Sequence, residues 1–159
     1  MAHALIALGS NLGDREANLA KAVEQLKTLP VTRILRISRW METDPVGGPP
    51  QGKFLNGAAQ LDTELSPQEL LKGLQAVEVT MGRPIEHPKN NPRVIDLDLL
   101  SYNQMIVETS ELTLPHPRLH ERMFVLEPLS EIAPDWTHPI LRKKPLQMIH
   151  DLRCGSSRR

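Results

Sequence analysis

The sequence is poor in cysteine and in aromatic residues. Cys154 is the one cysteine among 159 residues, which excludes an intrachain disulfide and a zinc site built from several cysteines. A single thiol is typical of a reducing compartment, so we expect a cytoplasmic protein. Two phenylalanines, two tryptophans and one tyrosine are too few for the base-stacking sheet of an RNA-binding module.

The sequence also lacks an excess of one charge and a long apolar run. Lysine plus arginine and aspartate plus glutamate each number 19, and this balance disfavours a protein that coats a polyanion. The apolar stretch at residues 4–8 is too short for a signal peptide or a membrane span. We therefore expect no nucleic-acid partner and no membrane association.

The remaining composition is that of a globular protein. Hydrophobic residues make up 40% of the chain and charged residues 24%, which is enough apolar material for a core. The length fits one domain over residues 1–159, with residues 153–159 expected to fray. Hydrophobic periodicity predicts the order β-α-β-β-α-β followed by further helices. That order indicates an α+β fold, a ferredoxin-like three-layer sandwich with a mainly antiparallel sheet and flanking helices.

Capping residues and breakers delimit these elements. Asp14 is a candidate helix N-cap, and Ser66-Pro67-Gln68-Glu69 has the pattern of a capping box. Proline and glycine at 44–53 and three prolines within 83–93 predict two long loops. Strands are predicted near 3–8, 32–43, 54–65 and 94–102, a hairpin partner at 105–107, an edge strand at 136–139, and helices at 15–28, 66–82, 118–132 and 146–152, with Pro128 beginning a new turn.

The most informative motif is a strand that carries two aspartates. In residues 93–100, Asp96 and Asp98 point to one face with Cα atoms roughly 6.6 Å apart, while the apolar residues point to the other. Two carboxylates can hold Mg²⁺ together with substrate phosphates, and Arg93 could contact the same phosphates. The alternative is the solvated face of an ordinary half-buried strand.

Two further segments allow either a binding role or a plain structural one. The turn at residues 9–15 could present backbone N–H groups to an anion, but a simple strand-to-helix turn is the favoured interpretation. His116 lies between two prolines near Arg118 and Arg122, which suits phosphate binding, although a loop histidine is more often only solvated. Phe54 and Phe124 could be core residues, and Glu78 and Arg83 a surface pair.

Taken together, these segments resemble the 6-hydroxymethyl-7,8-dihydropterin pyrophosphokinase family. The resemblance extends from residue 4 to about 134 and follows the family's order and spacing. It rests on Gly9-Ser-Asn-Leu-Gly-Asp-Arg15, Phe54-Leu-Asn-Gly57, Glu78 with Gly82-Arg83, Pro92-Arg-Val-Ile-Asp-Leu-Asp98, and Leu114-Pro-His-Pro-Arg118 through Arg122-Met-Phe124.

The resemblance implies a reaction and a role for each matching residue. The pterin hydroxyl would attack the β-phosphorus of the co-substrate ATP, with AMP leaving. The catalytic residues would be Arg83, Arg93, Asp96 and Asp98, of which Asp96 and Asp98 would hold two Mg²⁺ ions. ATP would be bound by Gln75, Glu78, Arg83, Arg93, Thr113, His116 and Arg122. The pterin would be bound by Thr43, Val46, Phe54, Asn56, Asp96 and Phe124.

The two long loops match the family's mobile lids, and the second departs from its usual pattern. Asn90 stands where many members have a tryptophan, and Glu86 where a base is often found. The leading hypothesis is a monomeric, Mg-dependent pyrophosphokinase. The alternatives are an impaired pterin- or nucleotide-binding protein and, less favoured, a ferredoxin-like regulatory or RNA-binding module.

Overall fold

The fold is built around one antiparallel sheet with helices on both faces. The computed structural model describes residues 1–44, 52–82 and 94–155. The strands are β1 (Ala2–Ser10), β2 (Thr32–Ile37), β3 (Met41–Thr43), β4 (Phe54–Thr63), β5 (Asp96–Tyr102), β6 (Val107–Glu108) and β7 (Thr113–Leu114). The helices are α1 (Arg15–Leu26), α2 (Pro67–Thr80), α3 (Met123–Ile132) and α4 (Pro145–Gly155), with a short 3-10 turn at Leu119–Glu121.

The main sheet has the strand order β2-β4-β1-β5, and each neighbouring pair is antiparallel. β3 also pairs with β4, so β2 and β3 together form one interrupted edge. The chain contains two β-α-β units, β1-α1-β2 and β4-α2-β5. Together they give this strand order, which is that of the ferredoxin-like sandwich. The predicted α+β class and the antiparallel sheet are confirmed.

Alternation along the strands supplies two apolar cores. Ile6 and Leu8 of β1 lie on the face covered by α1 and α2, in a core with Leu19 and Leu74. Leu5 points to the opposite face, where α3 and α4 contribute Leu126, Leu129, Met148 and Ile149. Each core removes large aliphatic side chains from water, which is the main source of stability for both helical layers. The predicted three-layer arrangement is therefore present.

Both predicted N-caps of the first two helices are confirmed. The Asp14 carboxylate accepts a hydrogen bond from the Ala17 N–H at 3.1 Å. Ser66 Oγ accepts from the Glu69 N–H at 3.1 Å, and Glu69 Oε1 accepts from the Ser66 N–H at 2.8 Å, which completes the capping box. These bonds satisfy backbone donors that a helix start leaves unpaired, and they fix where α1 and α2 begin.

The predicted edge strand at 136–139 is wrong. The described chain turns there, because the buried His138 holds the turn from inside: its Nδ1 accepts from the Ile140 and Leu141 N–H groups at 3.2 and 3.1 Å. The His138 N–H donates to the Lys143 carbonyl at 2.9 Å, so it is used within the turn and not in a sheet.

Two other expectations, the unbroken strand over 32–43 and a new turn at Pro128, are corrected. The strand predicted over 32–43 is broken between β2 and β3, where the Trp40 ring lies so close to Gly57 that a Cβ there would come within 2.4 Å of it. Pro128 lies inside α3 and does not begin a new turn.

None of the helices in the described ranges is long and apolar enough to cross a membrane. α4 includes residues 153–155 of the expected frayed tail, and 156–159 lie outside the described residues.

Candidate active site

Pairing across three strands places two rows of residues on the α3 face of the sheet. In the first row, Gly9 of β1 is paired with Asn56 of β4 on one side and with Asp96 of β5 on the other. In the second row, Ala7 is paired in the same way with Ala58 and Asp98. Directly paired residues share a face of the sheet, and the small residues at the centre leave room above β1.

A cavity of about 180 Å³ occupies this space. It has Asp96 and Asp98 on one side, and aromatic and polar side chains on the other. Its lining comprises Ala7, Leu8, Gly9, Thr43, Asp44, Phe54, Asn56, Gly57, Asp96, Asp98, Arg118, Arg122, Phe124 and Val125. The cavity therefore unites every described residue that was predicted to bind the pterin.

The Asn56 amide is held in a fixed orientation. Its Nδ2 donates to Thr43 Oγ1 from the neighbouring strand, and the residue is 7% exposed. Its Oδ1 lies over Gly9, where an added Cβ would come within 2.8 Å of Oδ1 and 3.4 Å of the Phe54 ring. Glycine at position 9 thus permits this close approach, since any larger residue would displace the Asn56 amide.

Phe54 and Phe124 line the cavity and are half-buried, so neither is a residue of the closed core. The Arg122 guanidinium lies 5.7 Å from the centroid of the Phe124 ring, within range of a cation–π contact. The Phe124 ring therefore has a cation beside it and an open cavity in front of it. This arrangement favours the ligand-platform interpretation over the core interpretation.

The two aspartates lie on one face of β5, as the spacing predicted. Both are half-buried and line the cavity, whereas Leu97 and Leu99 are 5% and 4% exposed on the opposite face. Glu78 of α2 accepts a hydrogen bond through Oε2 from the Leu97 N–H at 2.8 Å. That bond occupies a backbone donor at the outer edge of the sheet, on the residue between the two aspartates.

A second depression of about 250 Å³ continues from Asp98 along β7. Thr113, His116 and Glu111 contribute to its lining, as do Leu97 and Leu99. Because Asp98 lines both spaces, a ligand in one can lie next to a ligand in the other, with the Asp98 carboxylate between them. This is the geometry that transfer between two bound substrates requires.

His116 is neutral at physiological pH. Burial and the charge of Arg122 lower the pKa of the imidazole from 6.5 to about 4, against the opposing effect of Asp96. Its Nδ1 accepts from the Arg118 N–H at 3.2 Å, so the single proton is on Nε2. His116 therefore offers a neutral N–H donor beside two arginines, a combination that suits phosphate oxygens.

Several predicted residues are not brought into these two spaces. Gln75 is exposed on α2, and Glu78 bonds to the β5 edge; neither lines either space. Val46, Arg83 and Arg93 lie outside the described residues. Arg118 and Asp44 also line the cavity. Arg118 was predicted only as a basic neighbour of His116, and no role was predicted for Asp44. For Arg118, the signal was its place two residues after His116.

The turn at 9–15 is a plain strand-to-helix turn. Asp14 already caps α1, and Asn18 Nδ2 donates to the Leu12 carbonyl at 2.7 Å, so the turn is stabilised by its own side chains. An anionic residue at the helix N-terminus disfavours a second anion there. The favoured interpretation of this segment is supported.

Carboxylates that face arginines and a neutral histidine across one cleft are typical of phosphoryl-transfer enzymes, in which positioning and charge neutralisation do most of the work. Residues 5–134 match the model of the 7,8-dihydro-6-hydroxymethylpterin-pyrophosphokinase family. The chain belongs to this family. The stated resemblance is thus confirmed, and so is the class of enzyme, a pyrophosphokinase.

Individual relatives agree with this assignment. The chain is 47% identical over 130 residues to the 2-amino-4-hydroxy-6-hydroxymethyldihydropteridine pyrophosphokinase of Bacillus subtilis, covering 82% of this chain and 77% of the relative. It is 45% identical over 135 residues to the enzyme of the same name from Methylorubrum extorquens, covering 85% of each.

Solved structures show the same fold. A crystal structure of Plasmodium falciparum HPPK-DHPS with pterin and p-hydroxybenzoate superimposes with a TM-score of 0.75 at 14% identity. The match covers 99% of this chain and 44% of that chain, so the chain spans less than half of the solved protein.

Proposed function

We propose that this chain transfers the diphosphoryl group of ATP to the hydroxymethyl oxygen of 6-hydroxymethyl-7,8-dihydropterin, giving the pterin diphosphate and AMP. One observation carries the proposal: Asn56, Gly9 and Asp96 form a single row across three strands. A fixed amide for the edge of a flat ring and a carboxylate for the reacting end thus lie in one cavity. Family membership supports both substrates.

The pterin fits the aromatic side of the cavity. Its ring would lie against Phe54 and Phe124, which line the cavity and are only half-buried. The hydrogen bond from Asn56 Nδ2 to Thr43 Oγ1 orients the amide, and Oδ1, its acceptor atom, would receive an N–H from the pterin edge. Val46 is proposed to complete this side on the family resemblance alone.

The donor set at Asp96 and Asp98 fits Mg²⁺. Within the described ranges, no group of three or more histidine, cysteine, aspartate or glutamate side chains could hold a metal ion. Magnesium is commonly held by one or two carboxylates and by substrate phosphates, with water completing the shell. On the family resemblance, Asp96 and Asp98 would hold two Mg²⁺ ions together with the phosphates of ATP. When bound, Mg²⁺ neutralises phosphate charge and orients the phosphates.

Basic residues and a neutral donor surround the proposed phosphate positions. Among the described residues, the donors are His116 Nε2 and the guanidinium groups of Arg118 and Arg122. Arg83 and Arg93 do not belong to the described residues, and on the family resemblance they are proposed to bind the phosphates. On the same ground, Gln75, Glu78 and Thr113 are proposed to lie along the nucleotide. Arginine forks suit phosphate oxygens because they can donate two hydrogen bonds in parallel.

The chain's residues act by positioning. The hydroxymethyl oxygen forms a bond to the β-phosphorus of ATP and gives up its proton to water, while the bond from the β-phosphorus to the oxygen bridging to the α-phosphorus breaks. AMP leaves with that oxygen. Asn56 and the two phenylalanines hold the pterin in place, and the arginines and His116 stabilise the charge on the phosphates.

Release of AMP from ATP tests the proposal. AMP should form from ATP and Mg²⁺ only when 6-hydroxymethyl-7,8-dihydropterin is present, and in step with the diphosphorylated pterin. AMP release that does not depend on the pterin would contradict the proposed acceptor. Binding of both ligands without any AMP would instead identify an impaired binder.

A further inference from the structure

Two side chains of the turn between β1 and α1 reach across to the strands beside the cavity. Asn11 Nδ2 donates to the Gly52 carbonyl at 3.3 Å. Arg15 Nη1 donates to the Lys53 carbonyl at 2.9 Å, and Arg15 Nη2 donates to Glu42 Oε2 at 2.8 Å. Neither Asn11 nor Arg15 is in the cavity lining, so these bonds act on the cavity from outside.

The residues that Arg15 holds are the immediate neighbours of cavity residues. Glu42 precedes Thr43 on β3, and Lys53 precedes Phe54 at the start of β4. Thr43 and Phe54 are themselves paired across the two strands. One guanidinium thus connects the end of β3 to the start of β4, at the pair that forms the pterin side of the cavity.

Arginine is suited to this bridge. Its planar fork directs two N–H donors at two separate acceptors, which a lysine ammonium does less specifically. The hydrogen bond from Arg15 lowers the pKa of Glu42, so the carboxylate stays ionised and the bridge is intact at neutral pH. The Arg15 side chain is 31% exposed and that of Glu42 50%, and ion pairs this exposed add little to folding stability.

We infer that Arg15, acting through Glu42 and the Lys53 carbonyl, is a positioning residue that sets Thr43 and Phe54 for the pterin. This inference rests on the proposed function, because it assigns the pterin to this side of the cavity. The turn at residues 9–15 would then act on pterin binding through Arg15, and not by presenting backbone N–H groups to an anion.

Steady-state kinetics of Arg15→Ala tests the inference. The KM for 6-hydroxymethyl-7,8-dihydropterin should rise about tenfold, since small displacements of binding groups are costly, while the KM for ATP stays unchanged. Glu42→Gln should raise the pterin KM less, because the bond to the Lys53 carbonyl remains. The double variant should be no worse than Arg15→Ala alone, because the two residues act as one unit.

Lys21→Ala is the matched control, since Lys21 is an exposed cation on the same helix. It should leave both KM values and the thermal unfolding temperature unchanged. Arg15→Ala with a wild-type pterin KM, or with equal losses for both substrates and a lower unfolding temperature, would overturn the inference. Wild-type protein without pterin-dependent AMP release would overturn the proposed function itself, which the variants do not address.

Discussion

The two sides of the cleft are constructed differently. On the side proposed for the pterin, Thr43, Phe54 and Asn56 lie on paired strands, and their positions follow from strand register. On the side proposed for the nucleotide, Thr113 lies on a two-residue strand and His116 lies between two prolines. The pterin side is thus fixed by backbone pairing and close contact. The other side is held by a two-residue strand pair and by the His116 N–H, which donates to the Leu100 carbonyl at 2.8 Å, and it is proposed to bind phosphates through polar and charged donors.

This difference predicts how each side responds to substitution. A small change of shape should damage the pterin side most, because a Cβ added at Gly9 would come within 2.8 Å of Asn56 Oδ1 and displace the amide. A change of charge should damage the nucleotide side most, because its donors act on phosphates. Asp98 lines both spaces and should affect both sides, whereas Asp96 lines the first cavity alone.

The largest effect is expected for Asp98→Ala, which removes a carboxylate shared by both spaces. We expect kcat to fall by about 10³-fold, since a charged group that stabilises the transferred phosphates is lost. Far-UV circular dichroism should be unchanged. Asp135→Asn, at a side chain 95% exposed, is the control and should retain wild-type turnover. Near-native turnover of Asp98→Ala would refute the metal assignment.

Gly9→Ala should have the next largest effect, and it should be confined to the pterin. The added methyl would come within 2.8 Å of Asn56 Oδ1, so the amide must shift, and it would lie in contact with the Phe54 ring at 3.4 Å. We expect the pterin KM to rise by about 100-fold with little change in the KM for ATP. Gly52→Ala, where the nearest atom is 3.9 Å away, is the control. Equal effects on both substrates would contradict the division of the cleft.

Arg118→Ala should have a smaller effect of the opposite selectivity. Arg118 is proposed to donate to the phosphates of ATP, so we expect the KM for ATP to rise and the pterin KM to stay nearly constant. The rise should be only about fivefold, because the side chain is 57% exposed and paired with Glu121. Arg39, which pairs with Glu131 through Nε at 2.8 Å and lies outside the cavity lining, provides the matched control variant Arg39→Ala. A selective loss of pterin affinity would place Arg118 on the other side.

The smallest effect concerns stability at acid pH. The folded protein keeps His116 neutral down to about pH 4, whereas the imidazole of the unfolded chain takes up a proton as the pH falls below 6.5. The free energy of unfolding should therefore fall through this window, and less steeply in His116→Gln. Urea unfolding at pH 7 and pH 4.5 measures the difference, with His150→Gln as an exposed control. An equal fall in the free energy of unfolding between pH 7 and pH 4.5 in the wild type and in His116→Gln would show that His116 is not neutral in the fold.

Much of the site could be predicted because its signals are local. The alternation around Asp96 and Asp98 placed both carboxylates on one face, and the capping pattern at Ser66 fixed the start of α2. Both depend on the period of a strand or a helix and on neighbouring residues, which a sequence displays directly.

The remainder depends on contacts between distant residues. The break between β2 and β3 arises where Trp40 lies against Gly57, and the Arg15 bridge joins residues 27 and 38 positions away. The turn at 136–139 depends on a buried His138 that alternation alone cannot distinguish from a strand residue. Such contacts override local preference, and no pattern of neighbouring residues reveals them.

The central claim is that two substrates meet at the aspartates and that a diphosphoryl group passes between them. Phosphorus-31 NMR of the protein with ATP, Mg²⁺ and 6-hydroxymethyl-7,8-dihydropterin tests it most directly. The expected result is one AMP and one pterin diphosphate for each ATP consumed. Formation of ADP and a pterin monophosphate would show transfer of the terminal phosphoryl group and would contradict the claim.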